Sequence, residues 1–144
     1  MAGPPSVIFV CGRNAVRSPM AEALWRAAFG ADAPAISCGV EPASFPDGFM
    51  VSVMGELGHE LSDYEPQDIS AAQEDGAELI VSLAGEADAA ARALAGDLGA
   101  AFAAWPERDP TRTRGGREEK LDSYRAVRDA IAARISQYRK TGSY

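Results

Sequence analysis

Residues 7–22 read VIFVCGRNAVRSPMAE, and this stretch predicts a strand, a tight loop and the start of a helix. The apolar run 7–10 has the length of a buried strand and is too short to span a membrane. The segment 18–22, SPMAE, predicts a helix start, with a capping hydroxyl followed by proline at the first helical position. Because the loop N–H groups and the helix dipole then point to one place, we expect an anion-binding loop between Cys11 and Arg17.

The loop carries side chains that suit phosphate chemistry. N–H donors and a helix N-terminus favour the thiolate form of a cysteine, so we expect Cys11 to be a nucleophile toward phosphorus. Arg17 has a planar set of donors that matches two phosphate oxygens. Asn14 tolerates left-handed backbone angles, and Ser18 is near enough in sequence to hydrogen-bond the Cys11 sulfur. The predicted phosphate-binding residues are Gly12, Arg13, Asn14, Ala15, Val16, Arg17 and Ser18.

The pattern Cys11-x-x-Asn14-x-x-Arg17-Ser18-Pro19 resembles the low-molecular-weight protein tyrosine phosphatase family, whose superfamily includes related arsenate reductases. A cysteine and an arginine at this spacing are a weak signal alone, and a buried structural cysteine is the alternative interpretation. The preceding strand, the flanking residues and the following helix favour the family. The resemblance implies an α/β fold, a three-layer α/β/α sandwich with a four-stranded parallel sheet. The phosphate-binding loop then lies between strand 1 and helix 1.

Strands and helices alternate along the whole chain, which also favours a parallel sheet. Apolar periodicity and glycine positions predict four strands, at about 7–10, 35–38, 78–83 and 100–105. The same signals predict five helices, at about 19–29, 50–57, 68–75, 86–98 and 117–138.

The resemblance also implies a general acid in the last loop. The family uses an aspartate followed by proline before the C-terminal helix, and Asp109-Pro110 stands at that place. Loops at the carboxyl ends of parallel strands converge, so this loop can reach Cys11. Glu107 is a competing carboxyl group. We expect Asp109 to protonate the leaving oxygen and then to activate the water that hydrolyses a phosphocysteine, with no metal or cofactor.

Composition narrows the classes of partner. The chain has 144 residues, of which 47% are hydrophobic, and we expect one domain, ordered over about 5–140, with short flexible ends. No signal peptide or membrane span is predicted, and the two cysteines suit a reducing compartment, so the expected location is the cytoplasm. A net charge of −7 argues against nucleic acid or membrane partners. A local basic rim is nevertheless predicted by Arg108, Arg112, Arg114 and Arg117.

The substrate rim departs from the family pattern. Thr111 and Arg112 replace the tyrosines that often follow the family's Asp-Pro, and Tyr64 stands where the family often carries a histidine that reaches the loop. An additional loop arginine, Arg13, suggests an anionic ligand or a second negative group on the substrate. The candidate rim residues are Phe45, Phe49, Tyr64 and Arg112.

These features predict a phosphomonoester hydrolase, of the protein tyrosine phosphatase type, that acts on phosphorylated proteins or small phosphomonoesters. Its loop should also bind phosphate, sulfate and arsenate. The alternative is an arsenate reductase that uses an external small thiol and needs only Cys11. Thioredoxin-coupled reductases of this superfamily relay through two further cysteines after the third strand, whereas Cys38 lies before it.

Two further interpretations concern the cysteines. Cys38 is expected to be a small packed side chain rather than a redox partner. Val16 occupies the place of a second loop cysteine found in many of the family's phosphatases, so Cys11 lacks a neighbouring thiol.

A third functional class, a non-catalytic phosphate- or phosphopeptide-binding module, should have lost its nucleophile or acid. Both residues are present here.

Overall fold

The central sheet of the computed structural model, which describes residues 3–144, has four parallel strands. In chain order they are β1 (Val7–Cys11), β2 (Ala35–Gly39), β3 (Leu79–Ser82) and β4 (Ala101–Ala104). Their spatial order is β2-β1-β3-β4, so β1 lies inside the sheet. All five residues of β1 are buried, as expected for a parallel strand covered by helices on both faces. The predicted α/β fold with a four-stranded parallel sheet is confirmed.

Five α-helices connect and cover the strands. They are α1 (Arg17–Phe29), α2 (Gly48–Gly55), α3 (Ile69–Asp75), α4 (Asp88–Leu98) and α5 (Arg117–Thr141). Helices α1 and α2 pack against α5, whereas α3 contacts β2 and α4 contacts β3 and β4. Two short 3-10 turns, Gly85–Ala87 and Pro110–Arg112, lie in the loops that follow β3 and β4. Within residues 3–144, none of the helices combines the length and apolarity needed to cross a membrane.

The predicted start of α1 is wrong in one respect. The helix begins at Arg17, its N-cap residue is Val16, and no side chain caps it. The Ser18 hydroxyl does not serve as the cap, because it lies inside the first turn and is directed toward Cys11. The end of the helix agrees with the prediction, since the Gly30 N–H donates to the Arg26 carbonyl.

An aromatic cluster fixes the long helices to the sheet. The rings of Phe9 and Trp25 lie 5.7 Å apart in an edge-on arrangement, and Trp25 lies 5.5 Å from Tyr138 of α5. Trp105, just after β4, lies 6.4 Å from Phe9. Aromatic pairs at these separations add to the free energy gained from burial. The cluster therefore holds α1, and with it the loop before α1, in a fixed position on the sheet.

The carboxyl ends of the strands position the site. Gly39 ends β2 directly beside the loop after β1, and a Cβ atom there would lie 2.8 Å from the Asn14 nitrogen. No side chain fits at this separation, so the close approach of the two backbones requires glycine. In a parallel sheet, the loops after β3 and β4 reach the same edge.

Candidate active site

The loop of residues 11–17 folds around the Cys11 sulfur. The Asn14 N–H donates to Sγ over 3.2 Å, and the Ser18 hydroxyl oxygen lies 2.9 Å from the same atom. Asn14 adopts a left-handed conformation with φ of 54°, which turns the chain back toward the sulfur. The Cys11 sulfur thus lies against a backbone N–H of the loop and a hydroxyl group of α1.

A network of buried hydrogen bonds supports the loop from behind. The Asn14 side chain is fully buried and donates to the Ser18 hydroxyl over 2.7 Å and to the Ser37 hydroxyl over 3.1 Å. Its Oδ1 accepts from the Gln67 N–H over 2.7 Å and from the Tyr64 hydroxyl over 2.8 Å. All the polar atoms of the amide thus have partners, which fixes the strained residue in one conformation.

Tyr64 therefore reaches the loop as the family's histidine does, and it is not part of the rim. Its hydroxyl bonds to Asn14 and also contacts Ser37. Burial is the main cause that raises the pKa of Tyr64 above its ordinary value, so it remains a neutral donor. Ser37 in turn donates to Glu22 over 2.9 Å.

The guanidinium of Arg17 is held by two acceptors. Nη1 donates to the Glu107 carbonyl over 3.0 Å, and Nη2 donates to Glu86 Oε1 over 2.6 Å. Arg17 is only 5% exposed, whereas the Glu86 side chain is 56% exposed. Burial acts to raise the pKa of Glu86, but hydrogen bonds from its own backbone N–H and from Arg17 lower it overall. The remaining N–H groups of Arg17 are available for an oxyanion.

A cavity of about 440 Å³ opens over the loop. The residues that line it come from the loop after β1 and from the loops after β2 and β4. They are Cys11, Arg13, Ala15, Val16, Arg17, Ala43, Phe45, Asp47, Asp109 and Thr111. Asp109 thus faces the same space as Cys11, although the two residues lie far apart in the sequence. The Asp109 carboxylate accepts from the Thr111 N–H over 3.0 Å and from its hydroxyl over 2.6 Å, which orients it.

Glu107, the competing carboxyl group, lies elsewhere. It lines a neighbouring cavity of about 660 Å³ rather than the cavity over Cys11. Burial is the main cause that raises its pKa. Its backbone carbonyl, not its side chain, is the group that contacts Arg17.

Of the four residues expected at the rim of the Cys11 cavity, three lie elsewhere. Phe45 lines the cavity and is 78% exposed, as a rim residue should be. Phe49 instead packs on Tyr124, with ring centroids 5.4 Å apart, because it points toward α5 from the first turn of α2. Arg112 lines the neighbouring cavity. Tyr64 lies behind the loop, where its hydroxyl donates to Asn14.

Two carboxylates at the site were not identified from the sequence. Glu86 follows β3 in a 3-10 turn, and Asp47 is the N-cap of α2, where it accepts from the Phe49 and Met50 N–H groups. The other oxygen of Asp47 accepts from the Tyr124 hydroxyl over 2.9 Å. An acidic residue just after a parallel strand was the available signal for Glu86.

Cys38 is fully buried in β2. Burial, followed by the nearby charge of Cys11, raises its pKa to about 12. It is in register with Val10, while Cys11 is in register with Gly39. Because side chains alternate along a strand, Cys38 and Cys11 point to opposite faces of the sheet.

The family model for low molecular weight phosphotyrosine protein phosphatase matches residues 6–141 of this chain. The chain belongs to this family. It is 31% identical over 136 residues to an arsenate reductase of Halalkalibacterium halodurans, which covers 94% of this chain and 96% of that relative. The resemblance drawn from the Cys11 motif is thereby confirmed.

Solved structures share the fold. A tyrosine phosphatase of Erwinia amylovora, AmsI, superimposes with a TM-score of 0.76 at 19% identity, over 93% of this chain and 90% of that one. An arsenate reductase in a phosphate-binding state has a TM-score of 0.75 at 25% identity, over 95% and 98% of the two chains. The family model describes a phosphatase and the 31% identical relative is an arsenate reductase, so the family is catalytic.

Proposed function

We propose that this protein is a phosphomonoester hydrolase of the protein tyrosine phosphatase type, acting through a phosphocysteine on Cys11. The observation that carries the proposal is the single cavity lined by Cys11, Arg17 and Asp109. These residues supply a nucleophile, an anion ligand and a proton donor around one space. The two thiols suit a reducing cytoplasm, where we place the enzyme.

The first step transfers the phosphoryl group to sulfur. The Cys11 thiolate attacks phosphorus, the S–P bond forms and the P–O bond to the leaving group breaks. Arg17 and the loop N–H groups stabilise the negative charge on the three equatorial oxygens. Asp109 gives its proton to the departing oxygen, which leaves as an alcohol or phenol.

The second step restores the enzyme. Water attacks phosphorus while the Asp109 carboxylate takes one of its protons, the S–P bond breaks and inorganic phosphate leaves. The Ser18 hydroxyl, 2.9 Å from the sulfur, stabilises the departing thiolate. The net reaction consumes one water and needs no oxidant or reductant.

The cavity suits an aromatic leaving group. Phe45 stands exposed at its edge, and the apolar side chains of Ala15 and Val16 line it. An aromatic ring bound here can pack on Phe45 while its oxygen faces Asp109. This arrangement supports phosphotyrosine as the substrate.

Hydrolysis of p-nitrophenyl phosphate tests the proposal. Cys11→Ser should abolish turnover, and Asp109→Asn should lower kcat by roughly 10²- to 10⁴-fold, the usual contribution of general acid catalysis. Glu107→Gln is the matched control, because its carboxyl group faces the neighbouring cavity, and it should retain most activity. An inert wild-type protein would exclude the phosphatase.

A second candidate function is arsenate reduction with an external small thiol, favoured by the arsenate reductase relatives. Here the Cys11 thiolate displaces hydroxide from arsenate, and an external thiol attacks the sulfur, releasing arsenite and leaving a mixed disulfide. A second external thiol then frees Cys11, so two thiols are oxidised for each arsenate reduced. A relay through Cys38 is not supported, since that thiol is buried on the opposite face.

Arsenite formation with arsenate and glutathione separates the two functions. A phosphatase should hydrolyse p-nitrophenyl phosphate and form no arsenite above the rate of Cys11→Ser. A reductase should form arsenite in proportion to thiol consumed, with arsenate and phosphate competing for the loop.

A further inference from the structure

We propose that the cavity beside the Cys11 site binds acidic residues that flank the phosphorylated residue of a protein substrate. This inference rests on the proposed phosphatase function and deepens it. The cavity has a volume of about 660 Å³ and is lined by Arg17, Glu86, Glu107, Arg108, Asp109 and Arg112.

The position of this second cavity links it to the substrate. Arg17 and Asp109 line both cavities, so they form the wall between them. A phosphomonoester with its phosphorus at Cys11 has its leaving oxygen at Asp109. The chain that carries this oxygen therefore emerges next to the second cavity, where neighbouring residues of the substrate can enter.

The arginines of the second cavity have charge available for a ligand. Arg108 and Arg112 are exposed, and neither side chain forms an ion pair or hydrogen bond with any residue in the described part of the chain. By contrast, Arg125 and Arg128 are paired with Glu56, just after α2, and with carboxylates on α5. Arg13 is also exposed and without such a pair among residues 3–144, and it lines the Cys11 cavity.

The carboxylates nearby offset this charge only in part. Glu86 is bonded to Arg17. In the proposed mechanism Asp109 is protonated until it gives its proton to the leaving oxygen. Glu107 is half-buried, and burial raises its pKa, while the charges of Arg134, Arg108 and Arg17 act to lower it. With Asp109 protonated, three arginines and two ionisable glutamates line this cavity, so its lining has a net positive charge although the chain as a whole carries −7.

The arginines of the second cavity are suited to bind carboxylate side chains. A guanidinium presents parallel N–H groups that match the two oxygens of an aspartate or glutamate side chain. Charge complementarity at an exposed rim favours the encounter with an acidic substrate and disfavours a basic one. The expected substrate is thus a phosphotyrosine in an acidic segment.

The test compares kcat/KM for two phosphotyrosine peptides of equal length, one with glutamate and one with glutamine on both sides. Two exposed ion pairs of the usual strength change kcat/KM by roughly twofold to thirtyfold, so the wild type should prefer the acidic peptide by a factor in that range. The double variant Arg108→Gln with Arg112→Gln should bring the ratio of the two kcat/KM values close to one. Arg114→Gln, an exposed arginine of the same loop that lines neither cavity, should keep the wild-type ratio.

Charge reversal gives a second measurement that does not depend on absolute activity. Arg108→Glu with Arg112→Glu should prefer the glutamine peptide over the glutamate peptide. A wild type that hydrolyses p-nitrophenyl phosphate but does not distinguish the peptides would overturn this inference and leave the phosphatase intact. Retention of the preference in both double variants would also overturn it, whereas a wild type inert toward every phosphomonoester would overturn the proposed function itself.

Discussion

Arg17 and Glu86 form an ion pair across the edge of the sheet, with Nη2 lying 2.6 Å from Oε1. The same carboxylate oxygen would lie 3.1 Å from a Cβ atom placed at Gly12, so Glu86 also flanks the loop. Glu86 and the Glu107 carbonyl together fix the plane of the guanidinium. Such preorganisation lets Arg17 meet an oxyanion without searching for its orientation.

Substitution of Glu86 tests this orientation. Glu86→Ala removes one acceptor from Arg17, and we expect kcat/KM for p-nitrophenyl phosphate to fall by roughly 10- to 100-fold, since charged hydrogen bonds contribute about 1.5–3 kcal/mol. Glu86→Gln keeps an acceptor oxygen but removes the charge, so it should rescue most of the loss and bind inorganic phosphate more tightly than wild type. Equal inhibition constants for phosphate in all three proteins would rule out that Glu86 positions Arg17.

Gly39 should be essential for the loop. In Gly39→Ala the new Cβ would lie 2.8 Å from the Asn14 nitrogen and 2.9 Å from the Arg13 carbonyl carbon, and neither backbone atom can yield easily. We expect a loss of about 1–3 kcal/mol in the free energy of unfolding, as for other overpacked sites, together with a large loss of activity. Gly96→Ala, in α4 with open space around it, should be neutral or stabilising. Urea unfolding of both variants tests the expected change in stability, and hydrolysis assays test the expected change in activity.

The Tyr64 hydroxyl should matter for turnover although it lies outside the cavity. Tyr64→Phe leaves Asn14 Oδ1 with one donor fewer, and we expect kcat/KM to fall severalfold with a loss of about 1 kcal/mol in stability. Tyr144→Phe, at an exposed position, is the control and should match the wild type in both measurements. If Tyr64→Phe keeps full activity, the network behind the loop does not hold Asn14 for catalysis.

Cys38 should not protect Cys11 from oxidation. Because the two side chains point to opposite faces of the sheet, Cys38→Ala should be inactivated by hydrogen peroxide at a rate within about twofold of wild type. Phosphatase activity should likewise change little. Mass spectrometric detection of a Cys11–Cys38 disulfide in oxidised wild type would contradict this prediction.

Acid should weaken the contact between α2 and α5. Hydrogen bonds from Arg125 and Arg128 lower the pKa of Glu56 from 4.5 to about 2. A lowered pKa means that the carboxylate stabilises the fold above pH 4.5 and that this contribution disappears as the pH falls toward about 2. Glu56→Gln should therefore have a lower Tm than wild type at pH 7, and the two Tm values should converge in strong acid. A Tm difference that stays constant between pH 7 and pH 2 would contradict a stabilising role of the ionised Glu56 carboxylate.

Much of the site's scaffold follows from local sequence. The strand, loop and helix around Cys11 are consecutive, so apolar pattern, Asn14 and Ser18-Pro19 predict them with little help from the rest of the chain. The alternation of elements likewise predicts the parallel sheet, and a parallel sheet brings its post-strand loops to one edge. The family resemblance singled out Asp109-Pro110, and this rule made it plausible that the loop which carries Asp109 reaches Cys11.

The direction of each side chain at that edge was decided only by the tertiary structure. Arg17 and Glu86 lie 69 positions apart, and no periodic pattern links residues that meet through separate loops. The same holds for Phe49, which turns to Tyr124, and for Arg112, which a 3-10 turn places in the second cavity. Sequence by itself determined the anion-binding loop and the sheet, because both depend on neighbouring residues. Packing between distant loops determined which carboxylates and arginines surround that loop, because those contacts depend on how all four strand ends converge.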